Sequence, residues 1–464
     1  MRHGGIEDRG QWLVRPATVV GRLSLAAVFI ALFAVAGAAQ QKKTTPSSQK
    51  GVTKTMAAQP IVIRGGKLLT ITKGVIENGV LVIQDGKITA IGPSGTTVPK
   101  DSRVIEAKGM TVYPGLIDSE THLGLTEIEA DPMTNDLVEI SDNVMPHMHV
   151  YEAFHAETEL IPVTRLNGVT NAIVTPTNRD TLPGQAAFIQ LDGKSAAEML
   201  LVRDIALPLN FTGDQRRNES FEKAKFPQTR MGMAAQLRQA FLDAQDYSRK
   251  LSEWEKKSEA ERAKGTAPKR DLKLEAMLPY LEGKRPIVLA AQKGSDIQVA
   301  VQLAREFNLR FVLNRVTRSQ KVLDYIAELK VPVIVGPIYE LPKETERYDS
   351  VFRLPAELHK RGVRVIFASY DSHQSRNLPY AAGYAVAYGL PYEEALKGLT
   401  LYPAEVWGVA DQLGSLEAGK AANVVVATGD PLDVKTEVKY VFIQGREVPL
   451  DNRQTKLRDQ YTTR

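Results

Sequence analysis

Apolar and polar positions alternate along this chain in three blocks. From about residue 60 to residue 112 the runs "IVIRGGKLLTI", "GVLVIQDGKITAIGP" and "RVIEAKGMTVYPGLID" are short, β-rich and closely spaced. Asp85-Gly86 lies between two of these apolar alternations, and a two-residue type I′ turn needs positive φ, so the pair predicts a hairpin. The middle block reads differently. "GVTNAIVTP", "RPIVLAAQ", "LRFVLN", "KVPVIVGP" and "GVRVIFASYDSH" are short, β-branched and bounded by Gly or Pro, which predicts buried parallel strands. "SDIQVAVQLAREFN" and "SQKVLDYIAELK" supply helices between them. Near the other end a β-rich block returns in "GSLEAGKAANVVVATGDPL" and "KYVFIQGREV".

The repeated βα rhythm predicts an α/β protein built on a (β/α)8 TIM-like barrel over residues 113–412, with its chemistry at the C-terminal ends of the strands. The two outer blocks predict a small split β-sandwich domain formed by both ends of the mature chain, residues 58–112 and 413–448, followed by a tail over 449–464. The charged stretch from Arg230 to about Lys264, containing "LSEWEKKSEAERAK", predicts a solvated helical insertion within about 213–275.

The first residues change the picture of location. Arg15 and Arg22 precede the uncharged run Leu23 to Ala39, which ends in small residues and is followed by polar sequence over 40–57. That pattern predicts a signal peptide over 1–39, cleaved after Ala38 or Ala39, and an exported, periplasmic or extracellular protein with no stable membrane insertion afterwards. The other reading of the run is an uncleaved anchor, since it is near the lower length limit for spanning a bilayer. The formal net charge of the 464 residues is +5, and removing four Arg with Glu7 and Asp8 from residues 1–39 leaves +3. So small a balance predicts no nucleic-acid partner. With no cysteine, disulfides and thiolate metal ligands are excluded. No phosphate-cradling "GxxxxGK[ST]" and no "GxSxG" elbow occurs, which disfavours NTPases and serine hydrolases.

Chemistry concentrates in "VYPGLIDSETHLGL", Val112 to Leu125. Asp118, Glu120 and His122 are spaced two apart, so an extended strand sends all three to one face. Glu120 and His122 offer a carboxylate oxygen and an imidazole nitrogen to a metal ion. This stretch resembles the "PGLID-x-H-x-H" segment of the amidohydrolase superfamily, in particular its imidazolonepropionase-like branch. "DGKITAIGP", "NGVTNAIVTP…GQAAFIQLDG" and "GLTLYPAEVWGVADQLGSLEAGKAANVVVATGDPL" are similar to that family in order and spacing, so the resemblance covers roughly residues 60–445.

The resemblance implies a metal-dependent barrel hydrolase acting on C–N bonds, in non-peptide or cyclic amides, through metal-activated water. It places Glu120 at the first position of the strand-one pair and His122 at the second. The strand-five position falls on Gln292, the strand-six position on Asn314 or Arg315, and the strand-eight Asp on Asp371. The implied ligands are therefore Glu120, His122 and Asp371, with the amides of Gln292 and Asn314 able to complete the shell. Either one divalent ion, zinc or manganese, is bound there or none is. Asp371 is the implied catalytic base, with His373 a proton carrier, a substrate contact or a plain loop histidine. Substrate contacts are implied for His147, His155 and Gln185. The substrate expected is a small-molecule or peptide-like amide. The competing expectation is a catalytically silent barrel that binds a ligand or pairs with an active paralogue, and a homo-oligomer is a further partner expectation.

Overall fold

The computed structural model describes residues 59–139, 141–212, 226–316, 320–340 and 347–462. The expected signal peptide and linker lie outside these residues. Five strands come first: β1 (Ile61–Leu69), β2 (Val75–Gln84), β3 (Lys87–Gly92), β4 (Arg103–Glu106) and β5 (Thr111–Pro114). Between β2 and β3, Asp85 and Gly86 both have positive φ, as the hairpin turn requires, and Gln84 pairs with Lys87. β1 has its register broken at Gly65–Gly66, where Gly65 is left-handed. That bulge bends the strand, so its first half pairs β4 and its second half pairs β5.

Eight further strands form the barrel sheet: β6 (Leu116–Thr121), β7 (Val169–Val174), β8 (Ala186–Gln190), β9 (Leu200–Asn210), β10 (Ile287–Ala290), β11 (Phe311–Asn314), β12 (Val333–Val335) and β13 (Val365–Phe367). They lie side by side in chain order. Alternation along each strand divides the core in two. Ile117, Val288, Val312, Ile334 and Ile366 point into the barrel, where Trp407 joins them. Their neighbours Leu116, Leu289, Leu313, Val333 and Phe367 belong to the larger cluster that also takes in helix residues such as Leu303 and Leu358. Beyond β13, the Tyr370 N–H donates to the Glu120 carbonyl at 2.9 Å and brings the last strand back to the first. This nearly closed eight-stranded sheet, with helices and an extra sheet beside it, is TIM-like.

Two expectations are corrected. The barrel is not wholly parallel, because β8 runs antiparallel to both β7 and β9. A parallel return needs a crossover of a dozen or more residues, usually helical. Here no helix lies between β7 and β8, and only the four-residue helix Ala196–Met199 lies between β8 and β9. The charged stretch is solvated only in its second half: residues 251–264, "LSEWEKKSEAERAK", bury nothing, but the first half packs down. Its helix Arg230–Glu255 buries Met233, Leu237, Phe241 and Ala244, a stripe at helical spacing, and Phe241 packs on Phe307 with ring centroids 5.0 Å apart. It is part of the outer layer between β9 and β10. The short helix Glu259–Lys264 belongs to the solvated half.

The chain then returns to the first sheet through β14 (Val424–Ala427), β15 (Val438–Ile443) and β16 (Arg446–Glu447). β14 pairs antiparallel with β5, Val424 opposite Pro114, so strands from both ends share one eight-stranded sheet. Ile63, Leu81, Ile105, Val424 and Phe442 fill its core. Among the described residues no helix is long and apolar enough to cross a membrane.

Candidate active site

The C-terminal ends of β6, β7, β9, β11 and β13 converge on Glu120. Its neighbour two residues back, Asp118, is wholly buried. One Asp118 oxygen accepts the Ser369 N–H at 3.0 Å and the Glu120 N–H at 3.3 Å, and the other accepts the Ser375 hydroxyl at 3.0 Å. Burial pushes the Asp118 carboxyl up to about 7 despite these donors. The residue ties β6 to the segment after β13.

Glu120 is 2 % exposed and has donors on both oxygens. Oε2 accepts from the Asn314 amide at 2.5 Å. Oε1 accepts from the Asn178 amide at 3.2 Å and lies 3.4 Å from Nη2 of Arg315. Asn178 is itself held by Asn210, whose amide donates to the Asn178 carbonyl. The Asn314 amide oxygen, the atom a metal would use, accepts from the Tyr370 hydroxyl. The Arg315 guanidinium sits over the Tyr370 ring, 4.4 Å from its centroid. Arg315 and Tyr370 both have φ of +59, each costing on the order of 1 kcal/mol for a side chain of that size. Burial raises the Glu120 carboxyl above its ordinary range, while the Arg315 charge and the amide donors oppose that rise.

His122, just past the end of β6, is buried and places Nδ1 2.8 Å from the Thr175 carbonyl. A carbonyl only accepts, so Nδ1 carries the proton and Nε2 keeps its lone pair. Burial, with help from the Arg315 charge, pushes the imidazole down to about 4, so it is neutral at pH 7. Asp371 stands at the same mouth: its carbonyl accepts from the Thr121 hydroxyl at 2.9 Å, and its charge acts on His122. One Asp371 carboxylate oxygen accepts the backbone N–H groups of His373 at 2.6 Å and Gln374 at 2.7 Å.

The amidohydrolase resemblance implies a divalent ion, and the donor set does not fit one. Among the described residues no three His, Asp or Glu side chains meet as a metal-holding group. Glu120, His122 and Asp371 share the mouth without meeting as a metal-ligand set, for a physical reason. Both oxygens of Glu120 face protein donors, one of them cationic, and Asp371 is turned to backbone amides. Asn314 presents its NH2 group, and Gln292, half-buried after β10, takes no part in the bonding around Glu120.

The remaining candidates lie apart from Glu120. His373 is exposed, with Nδ1 3.2 Å from the Ser372 hydroxyl. His147 is half-buried, and burial lowers its proton affinity. His155 is exposed, its backbone N–H bonded to the Gly124 carbonyl. Gln185 is buried, its amide oxygen taken by the Tyr280 hydroxyl at 2.6 Å and its nitrogen 3.5 Å from His149. Sequence reasoning missed Asn178 and Tyr370 and left Arg315 as an alternative to Asn314. The usable signal was the pair of polar residues ending "FVLNR", an uncommon way to finish a wholly apolar strand.

Known proteins resemble this chain in sequence and fold. The profile of the Amidohydrolase family matches residues 301–448. An amidohydrolase of Hapsidospora irregularis, tasK, is 24% identical over 389 residues, covering 80% of this chain, which spans only 39% of that longer protein. An imidazolonepropionase of Sphingopyxis alaskensis is 22% identical over 394 residues, covering 79% of this chain and 91% of its own. The crystal structure of an amidohydrolase from Thermotoga maritima superposes with a TM-score of 0.77 and 28% identity, covering 84% of this chain and 99% of that one. Together with the barrel and the extra sheet, these likenesses support an amidohydrolase superfamily member similar to its imidazolonepropionase-like branch.

Proposed function

We propose that this chain is an exported hydrolase that cleaves a C–N bond in a small amide or cyclic amide. The observation that carries the reading is a neutral His122, its Nδ1–H held by the Thr175 carbonyl and its Nε2 left to accept, at the mouth where Asp371 also stands. Membership of a superfamily of C–N hydrolases supports it. In this reading Asp371 takes the proton of the attacking water, and His122 Nε2 accepts a hydrogen bond from the substrate N–H or the water and orients it. No step passes through a metal ion, because the donors above do not fit one. Export rests on Arg22 and the Leu23 to Ala39 run.

The test is a screen of lactams, hydantoin-type rings and N-acyl amides with the full mature chain. Turnover that falls by about 10²-fold or more in Asp371→Asn supports the reading, since an amide cannot accept the water proton. Turnover equal in wild type and Asp371→Asn, or none above buffer, overturns it. A second reading, a ligand-holding barrel without turnover, alone or paired with an active relative, is favoured by the commitment of both Glu120 oxygens to protein donors. Its mark is a thermal shift with one of the same amides in the absence of hydrolysis.

A further inference from the structure

Arg315 follows β11, where the family resemblance calls for a metal-binding side chain, yet it does not turn out to solvent. Its side chain is 17 % exposed, and Nη2 reaches across the mouth to within 3.4 Å of Glu120 Oε1. Two features hold it there. The left-handed backbone at Arg315 redirects the side chain over the barrel, and the left-handed Tyr370 supplies the ring face beneath it. The Tyr370 hydroxyl then fixes Asn314, which completes the donors to Glu120. One carboxylate and one guanidinium therefore cancel at the spot where the family resemblance implies a metal. A dication placed between Glu120 and His122 would meet the Arg315 charge at close range, and among the described residues no third anionic or imidazole ligand converges to offset the repulsion. Buried Arg315 Nε–H has no acceptor among the described residues and remains to meet an oxygen atom of a ligand.

We propose that Arg315 is a built-in monocation that takes the place of the divalent ion: it neutralises Glu120 and holds the barrel mouth in shape without bound metal. The inference goes beyond the hydrolase reading and stands whether or not the pocket turns over a substrate.

The experiment compares the mature wild-type chain with Arg315→Met, Arg315→Lys and the double variant Arg315→Met/Glu120→Gln. The expected wild type is purified without stoichiometric metal, melts at the same temperature with or without chelator, and binds zinc or manganese with Kd weaker than about 1 mM. Arg315→Met, which strands a buried carboxylate, melts several degrees lower or fails to fold. Arg315→Lys, which keeps the charge, and the double variant, which removes both charges, recover most of the loss. The proposal is overturned by one equivalent of ion in the wild type, by a chelator-induced drop in its melting temperature, or by a double variant no more stable than Arg315→Met.

Discussion

Asp118 shows what a side chain gives up when it serves as a fastener. Two of its three hydrogen bonds join β6 to the segment after β13, but burial raises its pKa to about 7, well above the ordinary carboxylate range. The folded state therefore keeps a proton that the unfolded chain releases near pH 4, so this group's contribution to stability declines as pH rises through 7. Asp118→Asn keeps the shape and removes the titration. Its stability relative to wild type is expected to improve steadily between pH 4 and pH 7 and to level off above, read from urea midpoints at each pH; a constant difference would refute the assignment. The Asp118–Glu120–His122 spacing was legible because a strand's period of two is local. Arg315 was not, because an arginine after a strand usually faces water, and only the fold shows a ring beneath it and a carboxylate opposite.

At the level of elements, the helix Arg230–Glu255 illustrates how composition misleads. It is rich in charge, yet Met233, Leu237, Phe241 and Ala244 form one buried stripe. Phe241→Ala is expected to cost about 3–5 kcal/mol in denaturant unfolding. Glu253→Ala, on the exposed face, is expected to change stability by no more than about 0.5 kcal/mol. Equal small effects would return the helix to solvent. β10 to β13 were readable because both faces of each strand are buried and the runs are therefore continuously apolar. β8 was harder: "AAFIQ" reads the same way whichever direction the strand runs, and its direction follows from the missing crossover helix. The Asp85-Gly86 hairpin was legible for the opposite reason, since positive φ at two successive residues is a demand that few side chains meet.

At the scale of the whole molecule, the hydrogen-bonded seam between β5 and β14 joins residues some three hundred positions apart. Removing everything after residue 423 would expose the β5 edge and the apolar face over Ile63, Leu81 and Ile105. Such a truncated chain is expected to elute as aggregates in size-exclusion chromatography where the full chain does not. The seam also sets an order of events during synthesis. The first strands to be made wait for a partner through the production of the whole barrel, so the sheet is among the last parts of the protein to mature. A chaperone thus has a long interval in which to hold an edge that the finished protein never shows.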